Sequence, residues 1–219
     1  MGILAIDGPA GAGKSSVAKA LAQRLGYRYV NTGAIYRTIA LFAIRNNLDQ
    51  EEQIAQAAIQ LDMSFEGDNV RLSGEDVSAA IREPDVALMA SKVSVLPKVR
   101  SGLLELQRRL ALEAKEGAVL EGRDIGTVVF PDAETKVFLT ASAETRAKRR
   151  TRQIEERGGS ASYENILTDI RERDARDSAR AVAPLRPADD AVVVDSDGKT
   201  FAEVVSEITE IASRGLLNE

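Results

Sequence analysis

The chain has 219 residues, 44% of them apolar, and a formal net charge of −5. That length supports one sizeable core with room for inserted subdomains, and the acidic balance argues against a general nucleic-acid binder, so any anion site must come from local clustering. Cysteine and histidine are both absent, which excludes disulfides, thiolate zinc sites, Cys nucleophiles, an imidazole base and His metal ligands.

Short apolar strands alternate with helical patterns, which predicts a parallel α/β sheet. The first strand, Ile3–Asp7, runs into Gly8-Pro9-Ala10-Gly11-Ala12-Gly13-Lys14-Ser15, and a helical pattern covers Lys14–Leu25. This is G-x-x-x-x-G-K-[ST], the phosphate loop, between the strand and the helix that the motif requires. Its glycines let the backbone curl so that successive N–H groups face an anion. Lys14 reaches the β- and γ-phosphates, and the Ser15 hydroxyl can ligate Mg²⁺. The helix dipole acts on the same anion. A nucleoside triphosphate is therefore the expected ligand, while the acceptor of its phosphate stays open. With a strand opening almost at once and no apolar run of membrane-spanning length, no signal peptide and no membrane anchor are expected, and a cytoplasmic protein follows.

Gly26 sits where a helix C-cap is wanted, before a second strand over Tyr27–Asn31. Asn31-Thr32-Gly33-Ala34-Ile35-Tyr36-Arg37 comes next, leading a helix over Ala34–Asn46. In an open α/β sheet the carboxyl ends of the strands face the ligand. Thr32 can offer its hydroxyl there and cap the helix; Arg37, one turn in, points back to that crevice or out to solvent. From Leu61 to Arg82, Met63-Ser64-Phe65-Glu66, Val70-Arg71-Leu72 and the Gly-Asp-Asn and Ser-Gly punctuation predict short strands joined by tight turns. This segment is either an antiparallel insertion able to fold over a ligand or an ordinary connecting loop.

Pro97 fits the first turn of a helix over Pro97–Glu116, with Gly117 at its C-cap. A third strand, Ala118–Glu121, runs into Gly122-Arg123-Asp124. That turn places a cation and a carboxylate at the crevice rim, or closes a loop with an Arg-Asp pair. In phosphate-loop proteins an acidic residue near this strand often holds Mg²⁺, and Glu121 or Asp124 can do so. A fourth strand, Thr135–Leu139, precedes a helix over Ser142–Glu156 carrying Arg146, Lys148, Arg149, Arg150 and Arg152, with Arg157 and Gly158-Gly159 beyond it. Basic residues beside a Gly-Gly pair predict a mobile lid that closes on phosphates. A solvated helix face and a nucleic-acid patch are the alternatives, and the lack of interleaved aromatics counts against the patch. In the helical pattern over Tyr163–Ala179, Arg173, Arg176, Asp177 and Arg180 fall at i, i+3, i+4 and i+7, on one face. They form a self-compensating surface, or a site where arginines grip a phosphate and Asp177 accepts ribose hydroxyls. A strand over Ala191–Asp195 and a helix over Thr200–Arg214 complete the pattern.

Together these segments resemble the bacterial cytidylate kinases, within the nucleoside monophosphate kinases. The resemblance rests on the phosphate loop, on Thr32 to Arg37, on Gly122-Arg123-Asp124 through Pro131, and on Glu172-Arg173-Asp174 through Leu185. It implies a five-stranded parallel sheet flanked by helices, an inserted monophosphate-binding region containing short antiparallel strands, and a small lid. The boundaries are then 1–35, 101–147 and 163–219 for the core, 36–100 for the monophosphate-binding region with its insert near 61–82, and 148–162 for the lid. It implies ATP contacts from Gly8, Pro9, Ala10, Gly11, Ala12, Gly13, Lys14, Ser15 and Ser16, with Mg²⁺ on Ser15. The implied CMP contacts are Thr32, Tyr36, Arg37, Ser91, Arg100, Arg123, Asp124, Arg173, Asp177 and Arg180. Ser91 and Asp124 read the cytosine edge with Arg100, Arg173 and Asp177 hold the ribose, and Arg180 grips the monophosphate. Lys14, Arg149, Arg152 and Arg157 carry catalysis. The reaction implied is transfer of the γ-phosphoryl group of ATP to CMP or dCMP by a monomer, without nucleic acid or membrane. One departure stands out: family members often carry Asp where this chain has Asn31, which weakens a Mg²⁺-organising role there or passes it to another residue. The rival is a kinase for UMP or another small molecule on the same core. An alcohol acceptor would want a base, whereas the Arg-rich face suits an acceptor that is already anionic. A GTPase switch would need Asn-Lys-x-Asp, which the sequence lacks.

Overall fold

The computed structural model describes residues 2–156 and 158–216. The chain forms two compact units, one of residues 1–28 and 116–219, the other of residues 29–115.

The first unit begins with β1 (Gly2–Asp7), whose GILAID run is almost wholly buried. Continuous apolar strands of this kind belong to parallel sheets covered on both faces. After α1 (Lys14–Leu25) the chain enters β2 (Arg28–Asn31). Later strands are β6 (Gly117–Glu121), β7 (Thr135–Thr140) and β8 (Val192–Asp195), and later helices are α6 (Ala143–Glu155), α7 (Tyr163–Ser178) and α8 (Phe201–Leu216). The sheet runs β2-β6-β1-β7-β8. β1 lies parallel to β6, with Ile6 opposite Glu121, and parallel to β7, with Asp7 opposite Phe138. β7 pairs β8 in the same sense. The carboxyl ends of β1 and β6, at Asp7 and Glu121, are therefore neighbours. The five-stranded parallel sheet is the one the sequence predicts. Its core is Leu4, Ile6, Leu120 and Leu139 from the strands, with Leu21 and Ile208 from α1 and α8, all essentially inaccessible to water.

The second unit holds α2 (Thr32–Arg45), α3 (Glu51–Gln60), β3 (Met63–Glu66), β4 (Asn69–Leu72), β5 (Glu75–Asp76), α4 (Pro84–Val93) and α5 (Pro97–Leu112). The antiparallel insertion is real: β3-β4-β5 form a separate three-stranded sheet. Phe65 pairs with Val70 and Met63 with Leu72, so period-2 alternation turns one apolar face inward. That face packs with Leu41 of α2 and Val86 and Ala90 of α4. Neither α3 nor α4 was singled out by the sequence. α3 is a ten-residue helix that buries only Ile54, Ala55 and Ala58, so its apolar stripe is thin.

Three local expectations change. Gly26 is a C-cap with φ 69°, but Gly117 is not: α5 ends at Leu112, capped by Glu113. Gly117 opens β6 with φ +146°, where a Cβ would lie 2.6 Å from the Gly2 carbonyl oxygen and 2.7 Å from the Tyr27 ring. Close backbone approach, rather than helix termination, requires glycine there. Thr32 is likewise not the cap of α2. It is the first helical residue, and the Asn31 side chain accepts the Ala34 N–H at 3.0 Å. Finally, α7 stops at Ser178, so Arg180 lies beyond the helix rather than on its face.

Candidate active site

At the end of β1 the chain turns at Gly8, with φ +145°. A Cβ on Gly8 would sit 2.0 Å from the Leu139 carbonyl oxygen, so only glycine lets the loop cross β7 this closely. The loop delivers Lys14 as the first residue of α1, buried at 6% exposure, its Nζ donating to the Pro9 carbonyl at 2.7 Å. Burial pushes the Lys14 ammonium well below its ordinary pKa, the Arg123 guanidinium adds to the effect, and Arg173 acts in the same direction. Glu121 and Asp7 oppose it. Next to Lys14, the Ser15 hydroxyl donates to Glu121 Oε2 at 2.9 Å. Glu121 is buried at the carboxyl end of β6. A hydroxyl and a carboxylate side by side are hard oxygen donors suited to Mg²⁺, which takes one or two protein oxygens and fills the rest of its shell with phosphate and water. Among the described residues, no group of three or more acidic side chains is placed to hold a metal.

Beyond β6, Gly122-Arg123-Asp124 enters a five-residue π-helical turn, Ile125–Val129, closed by Phe130 N–H to the Ile125 carbonyl. Such turns cluster at functional sites. Asp7, which the sequence did not single out, pins this one. Its two carboxylate oxygens accept the Ile125 and Gly126 N–H groups, each at 2.8 Å. Burial raises the Asp7 pKa to about 6; the two amide hydrogen bonds and Lys14 pull downward, and Asp124 pushes upward.

The predicted arginine face is a buried cluster rather than a surface ladder. Asp177, 1% exposed, accepts from Arg123 Nε at 3.1 Å and pairs with Arg180. Arg123 thus finds its carboxylate 54 residues onward, not on adjacent Asp124. Arg176 points to solvent, so the i+3 member of the stripe is outside the cluster.

In α6, Arg146 is buried and bound to Asp174 of α7. Arg149 donates to the hydroxyl and carbonyl of Ser196, at 3.0 and 2.8 Å. Arg152 is exposed and pairs with Glu156. Arg157 lies outside the described residues.

The second unit gathers its own candidates. Arg100 of α5 is buried, donates to the Ser94 carbonyl at 2.9 Å, and stands 5.7 Å from the Tyr36 ring centroid. Ser91 lies on α4, and its carbonyl accepts the Ser94 hydroxyl. Thr32 is buried at the start of α2 and Arg37 is half-buried one turn later. Arg100 and Tyr36 are 64 positions apart in sequence, which no spacing argument connects.

Residues 4–214 match the family model described as cytidylate kinase. The chain is 47% identical to a cytidylate kinase of Aeromonas salmonicida, covering 98% of this chain and 95% of that one. It is 45% identical to a cytidylate kinase of Carboxydothermus hydrogenoformans, covering 96% and 97%. Among solved structures, a sugar kinase from Janibacter sp. HTCC2649 shares the fold with a TM-score of 0.51 at 11% identity, over 97% of this chain and 95% of that one. No helix among the described residues is long and apolar enough to cross a membrane. A phosphate loop joined to a buried arginine-aspartate cluster, in a chain similar along nearly its whole length to these kinases, places it in the cytidylate kinase family of nucleoside monophosphate phosphotransferases.

Proposed function

We propose that the chain transfers the γ-phosphoryl group of ATP to CMP, and to dCMP, giving CDP and dCDP. The observation that carries this reading is the buried lysine. Lys14 is buried beneath the phosphate loop, with Arg123 and Arg173 acting on it as like charges that Glu121 and Asp7 oppose. Like charges gathered at a buried position are costly, and an anionic ligand offsets that cost.

The chemistry needs no general base. A phosphomonoester has a second pKa near 6, so at neutral pH the acceptor is already mostly a dianion, which fits a chain without histidine. The difficulty is bringing roughly four negative charges on ATP against about two on CMP. Lys14 and the amides of Gly8–Ser16 take the donor phosphates. Arg180 grips the acceptor phosphate, Arg123 also contacts the acceptor, and Arg173 holds the ribose with Asp177. Asp177 already receives Arg123 and Arg180, yet an ionised carboxylate offers about four lone-pair sites, which leaves capacity for ribose hydroxyls. Asp124, Ser91 and Arg100 are assigned to the cytosine edge, and Thr32, Tyr36 and Arg37 to the remaining acceptor contacts. Ser15 and Glu121 hold Mg²⁺, which when bound supplies charge neutralisation on the phosphates. Arg149, Arg152 and Arg157 serve the donor phosphates on lid closure, Arg149 and Arg152 exchanging their Ser196 and Glu156 partners for phosphate oxygens and excluding water. The reaction requires no second chain, nucleic acid or membrane, and a cytoplasmic monomer is sufficient for it.

The test is a coupled ADP-release assay with ATP·Mg²⁺ against CMP, dCMP, UMP, AMP, GMP and a shikimate-like alcohol. Turnover is expected to be highest with CMP or dCMP. No turnover with CMP would overturn the reading.

A further inference from the structure

Arg146 of α6 has its guanidinium packed into the first unit, with only 5% of its side chain exposed. Its contacts reach three separate places. Nε donates to the Ala141 carbonyl at 2.9 Å, at the start of its own helix. Nη1 donates to the Ala10 carbonyl at 3.0 Å, inside the phosphate loop. Nη1 and Nη2 together grip Asp174 of α7, at 3.1 and 2.5 Å. Four of the five N–H donors of a guanidinium are thereby in use. The aliphatic stem lies on the same loop: a Cβ built on Gly11 would stand 3.4 Å from the Cβ of Arg146.

From this geometry we infer that Arg146 is a positioning residue of the phosphate loop, held in place by Asp174, and is not itself a phosphate ligand. The physical link is the planar trans peptide, in which a carbonyl and the following N–H point in opposite directions. With the Ala10 oxygen held toward Arg146, the Gly11 N–H is turned away from α6. The phosphate loop binds through backbone N–H groups whose directions must be fixed beforehand. A guanidinium fork sets this peptide plane and an ammonium cannot, because it is a point donor without the planar arrangement that reaches Ala10, Ala141 and Asp174 at once. The Arg146–Asp174 pair also ties the donor loop to the helix that carries Arg173 and Asp177. This inference rests on the loop binding a nucleotide phosphate, but not on the identity of the acceptor.

Charge and positioning predict opposite signs for one substitution. Asp174→Asn removes a negative charge close to the loop. If charge alone mattered, an anionic nucleotide would bind more tightly. If Asp174 fixes Arg146, the nucleotide binds more weakly. The measurement is ADP·Mg²⁺ affinity by titration calorimetry, without acceptor, alongside amide hydrogen exchange at Gly11 in the nucleotide-free protein. Expected results are about tenfold weaker ADP binding for Asp174→Asn and for Arg146→Lys, faster exchange at Gly11, and a CMP KM within about twofold of wild type. The double variant is expected to be no worse than the weaker-binding single, because both act through one contact. Asp174→Asn is nearly isosteric and its side chain is 26% exposed, which keeps the test readable where Arg146→Lys misfolds. Unchanged or tighter ADP binding by Asp174→Asn, with wild-type exchange at Gly11, would overturn the inference. Failure of the wild-type protein to bind ADP·Mg²⁺ would instead strike the phosphate-loop reading itself.

Discussion

Lys14 and Asp177 illustrate opposite consequences of burying a charge. Lys14 is held where burial, Arg123 and Arg173 all disfavour its ammonium. Replacing it with Met is therefore expected to leave the unfolding free energy unchanged or higher by up to about 2 kcal/mol, as at other sites where function is kept at the expense of stability. The same substitution is expected to lower kcat by about a thousandfold or more. Urea unfolding and steady-state rates on one preparation check both halves. Asp177 is the reverse case: a nearly inaccessible carboxylate between Arg123 and Arg180. Truncation to Ala removes the buried counter-charge that Arg123 and Arg180 share, and a loss of about 3–5 kcal/mol is expected. A ribose role is better read from Asp177→Asn, which keeps one acceptor oxygen; its KM for CMP is expected to rise about tenfold while that for ATP changes little. Equal loss for both substrates would speak against the ribose assignment.

At the scale of elements, Asn31 acquires a role that the comparison with family members did not suggest. Its side-chain oxygen satisfies the Ala34 N–H and starts α2. Asn31→Ala is expected to cost about 1 kcal/mol. Asn31→Asp keeps the oxygen and adds a negative charge at a helix N-terminus, so stability is expected to hold or to rise by up to about 1 kcal/mol. The Mg²⁺ concentration giving half-maximal rate is expected to stay within about twofold, because Ser15 and Glu121 are the proposed oxygen donors. A large drop in that concentration would return the metal role to position 31. The π-helical turn is the other element of consequence: Asp7, ending β1, holds the first amides of a turn 118 residues later. The strand that launches the phosphate loop thereby fixes the segment bearing Arg123 and Asp124.

For the molecule as a whole, Asp7 ties folding stability to pH. Its pKa rises from 3.8 to about 6 on folding. A raised acid pKa means that the folded state binds the proton more tightly than the unfolded chain. The resulting stabilisation is complete below pH 3.8 and is lost as pH climbs through about 6. The difference in unfolding free energy between wild type and Asp7→Asn is therefore expected to shift toward the wild type by up to about 3 kcal/mol as pH falls from 8 to 4. Comparing the two proteins by urea unfolding across that range isolates Asp7 from other carboxylates, such as exposed Glu75 and half-buried Asp197, whose partners hold their pKa values low. A constant difference would show that Asp7 stays ionised throughout.

Local rules made much of this protein legible in one dimension. The phosphate loop declares itself because its strand, glycines, lysine and helix are contiguous, and the parallel sheet because its strands are short apolar runs between helical patterns. The insertion reads correctly from turn residues and period-2 alternation, both local signals. What the sequence alone did not determine were the partnerships. Arg123 with Asp177, Arg146 with Asp174 and Ala10, Asp7 with the Ile125 turn, and Arg100 with Tyr36 join residues 28 to 136 positions apart. The roles of Gly117 and Thr32 also shifted, because a helix ended early in one case and began early in the other. Only the tertiary structure decides such matters: a buried charge must find its counter-charge wherever packing brings one, and no periodicity in the chain records which side chain that will be.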